Sequence, residues 1–509
     1  MASSAVSSLP DALFSADAVR AIDRYVIDQQ GVDGFELMQA AARAAFRRLV
    51  QTWPECGPML VLCGAGNNGG DGYLVAANAR RHGLDVRCIA VAAVEKLSGD
   101  ARKAWQRAVD DGVAVSALGE LDEAVLDELF LDAGVIVDAM LGTGVAGAPR
   151  EPFAGLIVRC NRSSARVLAV DLPSGLNATT GAAEGDVVNA DMTVTFIGLK
   201  IGLFTGQGPA VTGSVEFDSL GVEDGAAQSG EQSAGIRRDW SSTMTWLPAR
   251  PANAHKGRFG HVLVIAGDRG FGGAGLMAAE AAGRSGAGLV SLATRPEHVS
   301  AALARCPSVM VHGVIHGSEL PLLLESTDVV VCGPGIGRGA WGQQMLEQVI
   351  ASGKLRVLDA DALNLMSSRV PVRADEHILT PHPGEAARLL GCLVPEVEAD
   401  RVAAAKKLQS LYGGTVLLKG AGTVVASGAD AVDIVSGSNP GMATGGMGDV
   451  LAGMIGALFA QTGEPTRAAV IGACAHIEAA CRASGEKGYM GLLPTDVIDA
   501  LPSVFKESE

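Results

Sequence analysis

The chain has 509 residues, 48% hydrophobic and 19% charged, a balance that excludes a disordered chain and leaves room for roughly two to four domains without disulfide or metal staples. Its formal charge of -16 argues against non-specific nucleic-acid binding and against an anionic membrane surface, but not against anionic small molecules, which local backbone dipoles can hold. Nine scattered cysteines without a CxxC pair, and a start without the basic residues and apolar core of a secretory leader, lead us to expect a cytoplasmic protein.

Apolar residues at three- and four-residue steps predict helices over 17–30 and 34–50. Met59-Leu-Val-Leu-Cys63 is then a continuous apolar run of strand length that ends in glycines. Similar runs recur at 86–91, 134–137, 167–170 and 192–197, with helical stretches between them. Buried strands alternating with helices predict a parallel sheet covered on both faces. Ligands of such sheets sit beyond the carboxyl ends of the strands, so that edge is where chemistry is expected.

The first strand end reads Gly64-Ala-Gly-Asn-Asn-Gly-Gly-Asp-Gly72, ahead of a helical stretch at 73–82. Gly64, Gly66 and Gly69 satisfy GxGxxG in the strand-to-helix context of a dinucleotide site, although a plain tight turn explains them equally well. No clear acid closes the second strand about 20 residues on, which argues against an ordinary dehydrogenase. Two further strand ends carry Val137-Asp-Ala-Met-Leu-Gly-Thr-Gly-Val145 and Val170-Asp-Leu-Pro-Ser-Gly175. Asn68, Asp138, Asp171 and Ser174 thus share one edge. Each acid alone could cap a helix or turn. Together they form an oxygen-only set of low charge, which suits a hard cation and admits potassium without selecting it.

GNNGGDG, DAMLGTG and DLPSG, in this order, resemble the amino-terminal domain of the bifunctional NAD(P)H-hydrate repair enzymes. The resemblance implies a Rossmann-like NAD(P)H-hydrate epimerase. Asn67, Asn68, Gly69, Gly70 and Asp71 would line the substrate site, with Gly142, Thr143, Gly144, Val145, Ala146, Gly147, Ala148 and Asp171. Asn68, Asp138 and Ser174 would contact potassium. The proton-transfer role would fall on Asp171, with Lys200 as a second candidate that a surface lysine explains equally well.

The segment 221–235, GVEDGAAQSGEQSAG, is small, polar and acidic and reads as a linker. Strand-like runs restart at 261–266, 288–293, 328–332, 356–358, 378–379 and 415–419. Two α/β domains are expected, at 15–221 and 234–507, joined by 222–233. The uncharged apolar stretch near 450–463 is too short and glycine-rich for a membrane span of about 20 residues. The strongest motif of this half is Asn439-Pro-Gly-Met-Ala-Thr-Gly-Gly-Met-Gly-Asp449. Its bare backbone runs into a helix expected to begin near Asp449, an anion hole with a carboxylate placed to take a proton. Lys419-Gly-Ala-Gly-Thr423, Thr380-Pro-His382-Pro-Gly-Glu385 and Cys332-Gly-Pro-Gly-Ile-Gly337 follow other strands, and Asp359 and Asp361 end another. These two acids could support a phosphate and its metal, or only cap a helix.

With His255-Lys-Gly-Arg-Phe-Gly-His and Gly272-Gly-Ala-Gly275, these motifs resemble the ADP/ATP-dependent NAD(P)H-hydrate dehydratases, which implies a ribokinase-like fold. The whole chain is then expected to hold two three-layer αβα domains, Rossmann-like and ribokinase-like. By the same resemblance, Ala274, Gly337 and His382 would meet the hydrated nucleotide, and Asp449 would be the catalytic base touching it. Lys419, Gly420, Ala421, Gly422, Thr423 and Gly448 would hold ADP, with Mg2+ on its phosphates. The implied substrates are the hydrates NADHX and NADPHX, with ADP converted to AMP. The alternative is a ribokinase-like small-molecule kinase fused to a nucleotide-binding module. Few aromatic and many small residues permit close helix packing between subunits, and a homo-oligomer is expected.

Overall fold

The computed structural model describes residues 9–144, 147–368, 372–428 and 430–508, and the chain divides into two compact units after Gly235. The first unit is built on seven strands in the spatial order Ala114–Ala117, Val86–Ala90, Met59–Cys63, Val135–Ala139, Arg166–Val170, Met192–Phe196, Ser214–Asp218. Every neighbouring pair is parallel. The central strands are apolar at nearly every position because both faces are covered. Val61 and Val137 pack with the helices Gly34–Thr52 and Asn67–Arg81 on one face, while Leu60, Leu62 and Ile136 pack with Glu123–Asp132 and Phe153–Arg162 on the other. Strand order reverses between Met59–Cys63 and Val135–Ala139, the Rossmann switch point, where a crevice opens beyond the carboxyl ends. Cys63 lies opposite Ala139, so the glycine turn and residues 140–144 stand side by side.

The helices expected over 17–30 and 34–50 are Ala16–Asp28 and Gly34–Thr52. Ser15 and Asp33 cap them by accepting from the amides of Ala18 and Glu36. The unit also begins before residue 15, because the strand Ala12–Phe14 pairs in parallel with Leu199–Lys200. The glycine loop is shorter than expected, since the helix Asn67–Arg81 starts inside it rather than at 73. A Cβ at Gly69 would stand 2.0 Å from the Gly64 carbonyl oxygen, and one at Gly72 2.5 Å from Ala139 Cβ. The first turn can lie this hard on the sheet only without side chains. The segment 222–233 is more than a tether: it carries the helix Gly225–Ser229, and a Cβ at Gly225 would lie 3.0 Å from Val26.

The second unit orders its strands Met310–Gly313, Leu289–Thr294, His261–Ile265, Val329–Cys332, Leu355–Leu358, His377–Leu379, Thr415–Leu418, Thr423–Ala426, Val432–Val435. Pairing is parallel as far as Thr415–Leu418 and antiparallel beyond it. The four residues 419–422 are too few for a crossover helix, so the chain must double back. The order reverses between His261–Ile265 and Val329–Cys332, again the position where such sheets bind their ligands. Alanine and glycine let the helices Gly272–Arg284 and Met447–Thr462 approach closely: a Cβ at Gly453 would stand 2.0 Å from the Ala278 carbonyl oxygen. Among the described residues no helix is long and apolar enough to cross a membrane.

Candidate active sites

In the first unit, two strand ends close around one carboxylate. Asp138 is fully buried. Its Oδ2 accepts from the Ser174 amide at 2.7 Å, and its Oδ1 from the Ser174 hydroxyl at 2.6 Å and the Met140 amide at 3.2 Å. The Leu141 amide donates to Ser174 Oγ at 2.9 Å. Asn68 donates from Nδ2 to the Leu141 carbonyl at 3.0 Å, while its Oδ1 is buried without a hydrogen-bond partner among the described residues. Burial pushes Asp138 up to about 6, against the hydrogen bonds from Ser174 and Met140. Asn68, Asp138 and Ser174 therefore do come together. Leu141 joins them through a backbone carbonyl, which no side-chain motif could announce. An orphaned amide oxygen beside a carboxylate, a hydroxyl and a carbonyl fits a cation of low charge. Among the described residues, no group of three or more acidic, histidine or cysteine side chains is arranged to hold a metal.

Asp171 belongs to a different cluster. It leaves its strand with φ of +66°, a left-handed conformation that aspartate tolerates better than most residues. Its Oδ1 accepts from Lys200 Nζ, from Thr195 Oγ1 at 3.0 Å and from the Phe196 amide at 3.4 Å. Lys200 Nζ also donates to Thr195 Oγ1 at 3.0 Å and to the Phe196 carbonyl at 3.1 Å, and its side chain is 1% exposed. The surface-lysine reading is thereby excluded. Both residues line a cavity of about 540 Å³ together with Asp23, Asn67, Asn68 and Asp71, a volume suited to a small-molecule ligand. Burial raises Asp23 to about 6, with Lys200 opposing and Asp171 adding. Burial, then the charges of Asp171 and Asp23, push Asp71 well up. Burial and like charge thus raise the proton affinity of Asp23 and Asp71 beside the Lys200–Asp171 pair. Asp23 escaped the sequence reading because a single acid inside an amphipathic helix carries no motif.

Gly142, Thr143 and Gly144 form another wall of this cavity, and Arg20 Nη1 donates to the Thr143 carbonyl at 3.0 Å. The other expected substrate residues are placed elsewhere. Gly69 and Gly70 turn toward the Gly64 backbone and Met38, while Gly147 and Ala148 lie beside Glu184 and Gly185. Val145 and Ala146 lie outside the described residues.

In the second unit, the helix Met447–Thr462 begins two residues before Asp449, with Gly446 as its cap at φ +97°. Asp449 therefore lies in the first turn rather than at the start. Gly448 faces Lys419: a Cβ there would lie 3.2 Å from Lys419 Nζ and 3.7 Å from Asp359 Oδ2. Lys419 Nζ donates to Asp359 Oδ1 at 2.7 Å, and Glu385 Oε2 lies 3.9 Å away. Thr380 Oγ1 donates to the same Asp359 oxygen at 2.9 Å. Burial works against the charge on Lys419, yet Asp359 and Glu385 hold its proton affinity above the ordinary value. Burial and the Asp359 charge push Asp449 up to about 7, with Lys419 opposing.

Asp361 Oδ2 accepts from the Gly337 amide at 3.0 Å. Of the two acids left open by the sequence, one thus neutralises a lysine and the other pins a glycine turn. His382 caps the helix Pro383–Leu390, its Nδ1 accepting from the Gly384 amide at 3.0 Å, and its Nε2 lies 3.4 Å from Glu385 Oε1. The ring is half exposed, and burial and Lys419 lower its proton affinity. Ala274 is half-buried in the first turn of Gly272–Arg284, against Gly335. Thr423 opens a strand and donates from Oγ1 to the Gly420 carbonyl at 2.9 Å; Ala421 and Gly422 complete that turn. Glu385 was missed because its place in a capping box hides a carboxylate that also faces Lys419.

Two doubly wound units with acid–base groups and a lysine-backed helix tip at their carboxyl edges define an α/β enzyme of the nucleotide-handling class. Residues 262–503 match the family model for NAD(P)H-hydrate dehydratase, and residues 34–202 match that for the YjeF-related protein N-terminus. The chain is 44% identical to the bifunctional NAD(P)H-hydrate repair enzyme Nnr of Escherichia coli (98% of this chain, 94% of that protein). It is 42% identical to that of Coxiella burnetii (96% and 98%). A solved ADP/ATP-dependent NAD(P)H-hydrate dehydratase from Bacillus subtilis, co-crystallised with ATP/Mg2+, is 28% identical over 53% of this chain and 98% of that one, with a TM-score of 0.49. The chain belongs to the family of bifunctional NAD(P)H-hydrate repair enzymes.

Proposed function

We propose that the first unit interconverts the R and S epimers of NAD(P)H hydrate, and that the second dehydrates the S form with ADP as phosphoryl donor. The observation that carries the reading is the pair of polar sites. One is a cavity where Asp171 and Lys200 face two acids of raised proton affinity, Asp23 and Asp71. The other is a glycine-lined helix start where Asp449 stands beside the Lys419–Asp359 pair.

The hydrate carries a hydroxyl at C6, beside the ring nitrogen. Epimerisation needs an acid to give that hydroxyl a proton as it leaves as water, and a base to take the proton back as water returns to the other face. Asp171, held by Lys200, and Asp23 or Asp71, which keep protons near neutrality, supply both capacities. Potassium would be held by Asn68, Asp138, Ser174 and the Leu141 carbonyl, where it would supply fixed positive charge beside the cavity.

For dehydration, Asp449 takes the proton of the C6 hydroxyl. The oxygen attacks the terminal phosphorus of ADP, and AMP departs. Phosphate then leaves C6, driven by the ring nitrogen lone pair, and loss of a C5 proton restores the reduced ring. Lys419 and the amides at Gly448 would balance the phosphate charge. Magnesium would arrive on the nucleotide, as its preference for phosphate oxygens and water predicts, with Asp359, Asp361 or Glu385 as carboxylates within the site. The nine free thiols fit a reducing, cytoplasmic setting.

The test is incubation with mixed NADH hydrates, magnesium, potassium and either ADP or ATP. Recovery of reduced-nicotinamide absorbance with release of phosphate supports the reading. A stable phosphorylated product without that absorbance would make the second unit a small-molecule kinase instead.

A further inference from the structure

The turn that carries Lys419 is shaped by a side chain with no part in the chemistry above. Arg401 opens the helix Arg401–Tyr412 and is 2% exposed. Its Nη1 donates to Glu398 Oε1 at 2.9 Å. Its Nη2 donates to two consecutive backbone carbonyls, Leu418 at 3.3 Å and Lys419 at 2.9 Å.

Peptide planarity gives these bonds a consequence. In a trans peptide, C=O and N–H point in opposite directions. With the Leu418 carbonyl turned to Arg401, the Lys419 amide points the other way and donates to the Pro381 carbonyl at 2.9 Å. With the Lys419 carbonyl turned to Arg401, the Gly420 amide is likewise sent away from the guanidinium. Only glycine fits here: φ at 420 is +145°, and a Cβ would stand 2.6 Å from Arg401 Nη2. From the same turn, Lys419 Nζ reaches Asp359 and the helix start at Gly448.

We infer that Arg401 is a positioning residue for the adenine nucleotide: by holding the Leu418 and Lys419 carbonyls, it fixes the Gly420 amide and the Lys419 ammonium as paired donors for one phosphate. This rests on the reading of residues 419–423 as the nucleotide turn. The guanidinium acts through those donors. Were the 419–420 peptide to flip, a carbonyl oxygen would take the place of the amide and repel the anion. Donors fixed in advance bind charge without reorganising.

Arg401→Met fills the buried space without the donors, and Arg401→Lys restores a compact cation in place of the planar fork. ADP binding to the full-length protein with magnesium is measured by calorimetry. Dehydration is measured against ADP and hydrate separately, with melting temperature as the check on folding. In Arg401→Met the ADP Kd and KM rise by roughly tenfold, the loss of a charge-assisted hydrogen bond. KM for the hydrate stays unchanged, and Arg401→Lys falls between. If Met fails to fold, Lys carries the same comparison. Unchanged ADP binding in a folded variant overturns the inference. So does an equal rise in KM for ADP and hydrate, or failure of both variants to fold, since each marks a structural role only. A wild type that neither binds ADP nor dehydrates the hydrate would instead refute the nucleotide reading itself, and the inference with it.

Discussion

Asp449 is an ordinary residue in an unusual place. Buried in the first turn of a helix beside Asp359, it is raised to about 7, so below that pH its proton stays on and it could not serve as the proposed base. The direction is thus fixed: kcat/KM for dehydration should fall as pH drops through about 7, roughly tenfold per unit well below it. Asp449→Asn should lower the rate by roughly a thousandfold and abolish this limb. A wild-type profile flat from pH 8 to 5 would show that Asp449 is not the base. Asp23 is the corresponding residue in the first unit. Its charge helps to raise Asp71, so Asp23→Asn should ease Asp71 toward the ordinary carboxylate range and slow epimerisation by roughly tenfold or more. Exchange between epimers at the wild-type rate in that variant would take Asp23 out of the mechanism. Asp449 announced itself by standing after a glycine run. Asp23 had no such signal, because its neighbours in the cavity come from residues 71, 171 and 200.

At the scale of elements, glycines decide how closely helices and strands approach. The helices Met447–Thr462 and Gly272–Arg284 meet where Gly453 faces the Ala278 carbonyl, with 2.0 Å left for a Cβ. The obstacle is backbone, which cannot rotate out of the way. Gly453→Val should destabilise the second unit by about 3 kcal/mol or more, read as a lower denaturant midpoint; an unchanged midpoint would mean that the helices can part freely. The same logic explains why the turn of GxGxxG was read too long. Glycine has low helix propensity, so 64–72 looks like a loop. Yet Gly69 and Gly72 are helical because only they allow the first turn to touch the Gly64 carbonyl and Ala139. Likewise, the short strands Ala12–Phe14 and Thr423–Ala426 carry too few residues for a period, and pairing with a neighbour makes them visible.

For the whole molecule, the prediction concerns the two chemistries in one chain. If each unit holds a complete site, Asp171→Asn should retain dehydration of the S hydrate and leave most of the R hydrate behind. Asp449→Ala should epimerise without restoring any NADH. Mixing the two variants should return recovery of both epimers, because the hydrate diffuses between them. Loss of both activities in either folded variant would contradict the two-site reading.

The residue string alone determined that the chain is α/β, that it has two halves, and where the glycine-rich strand ends lie, because apolar period and close-approach glycines are local properties. It also carried enough motif to place the chain beside its family. Which acids share a space was decided only by the tertiary structure. Asp171 parted from Asp138 and Ser174 and joined Lys200, Asp23 and Asp71; Asp359 and Glu385 closed on Lys419; and Arg401 reached the turn beneath it. Burial and charge–charge proximity depend on residues far apart in the chain, and only folding brings them within range of one another.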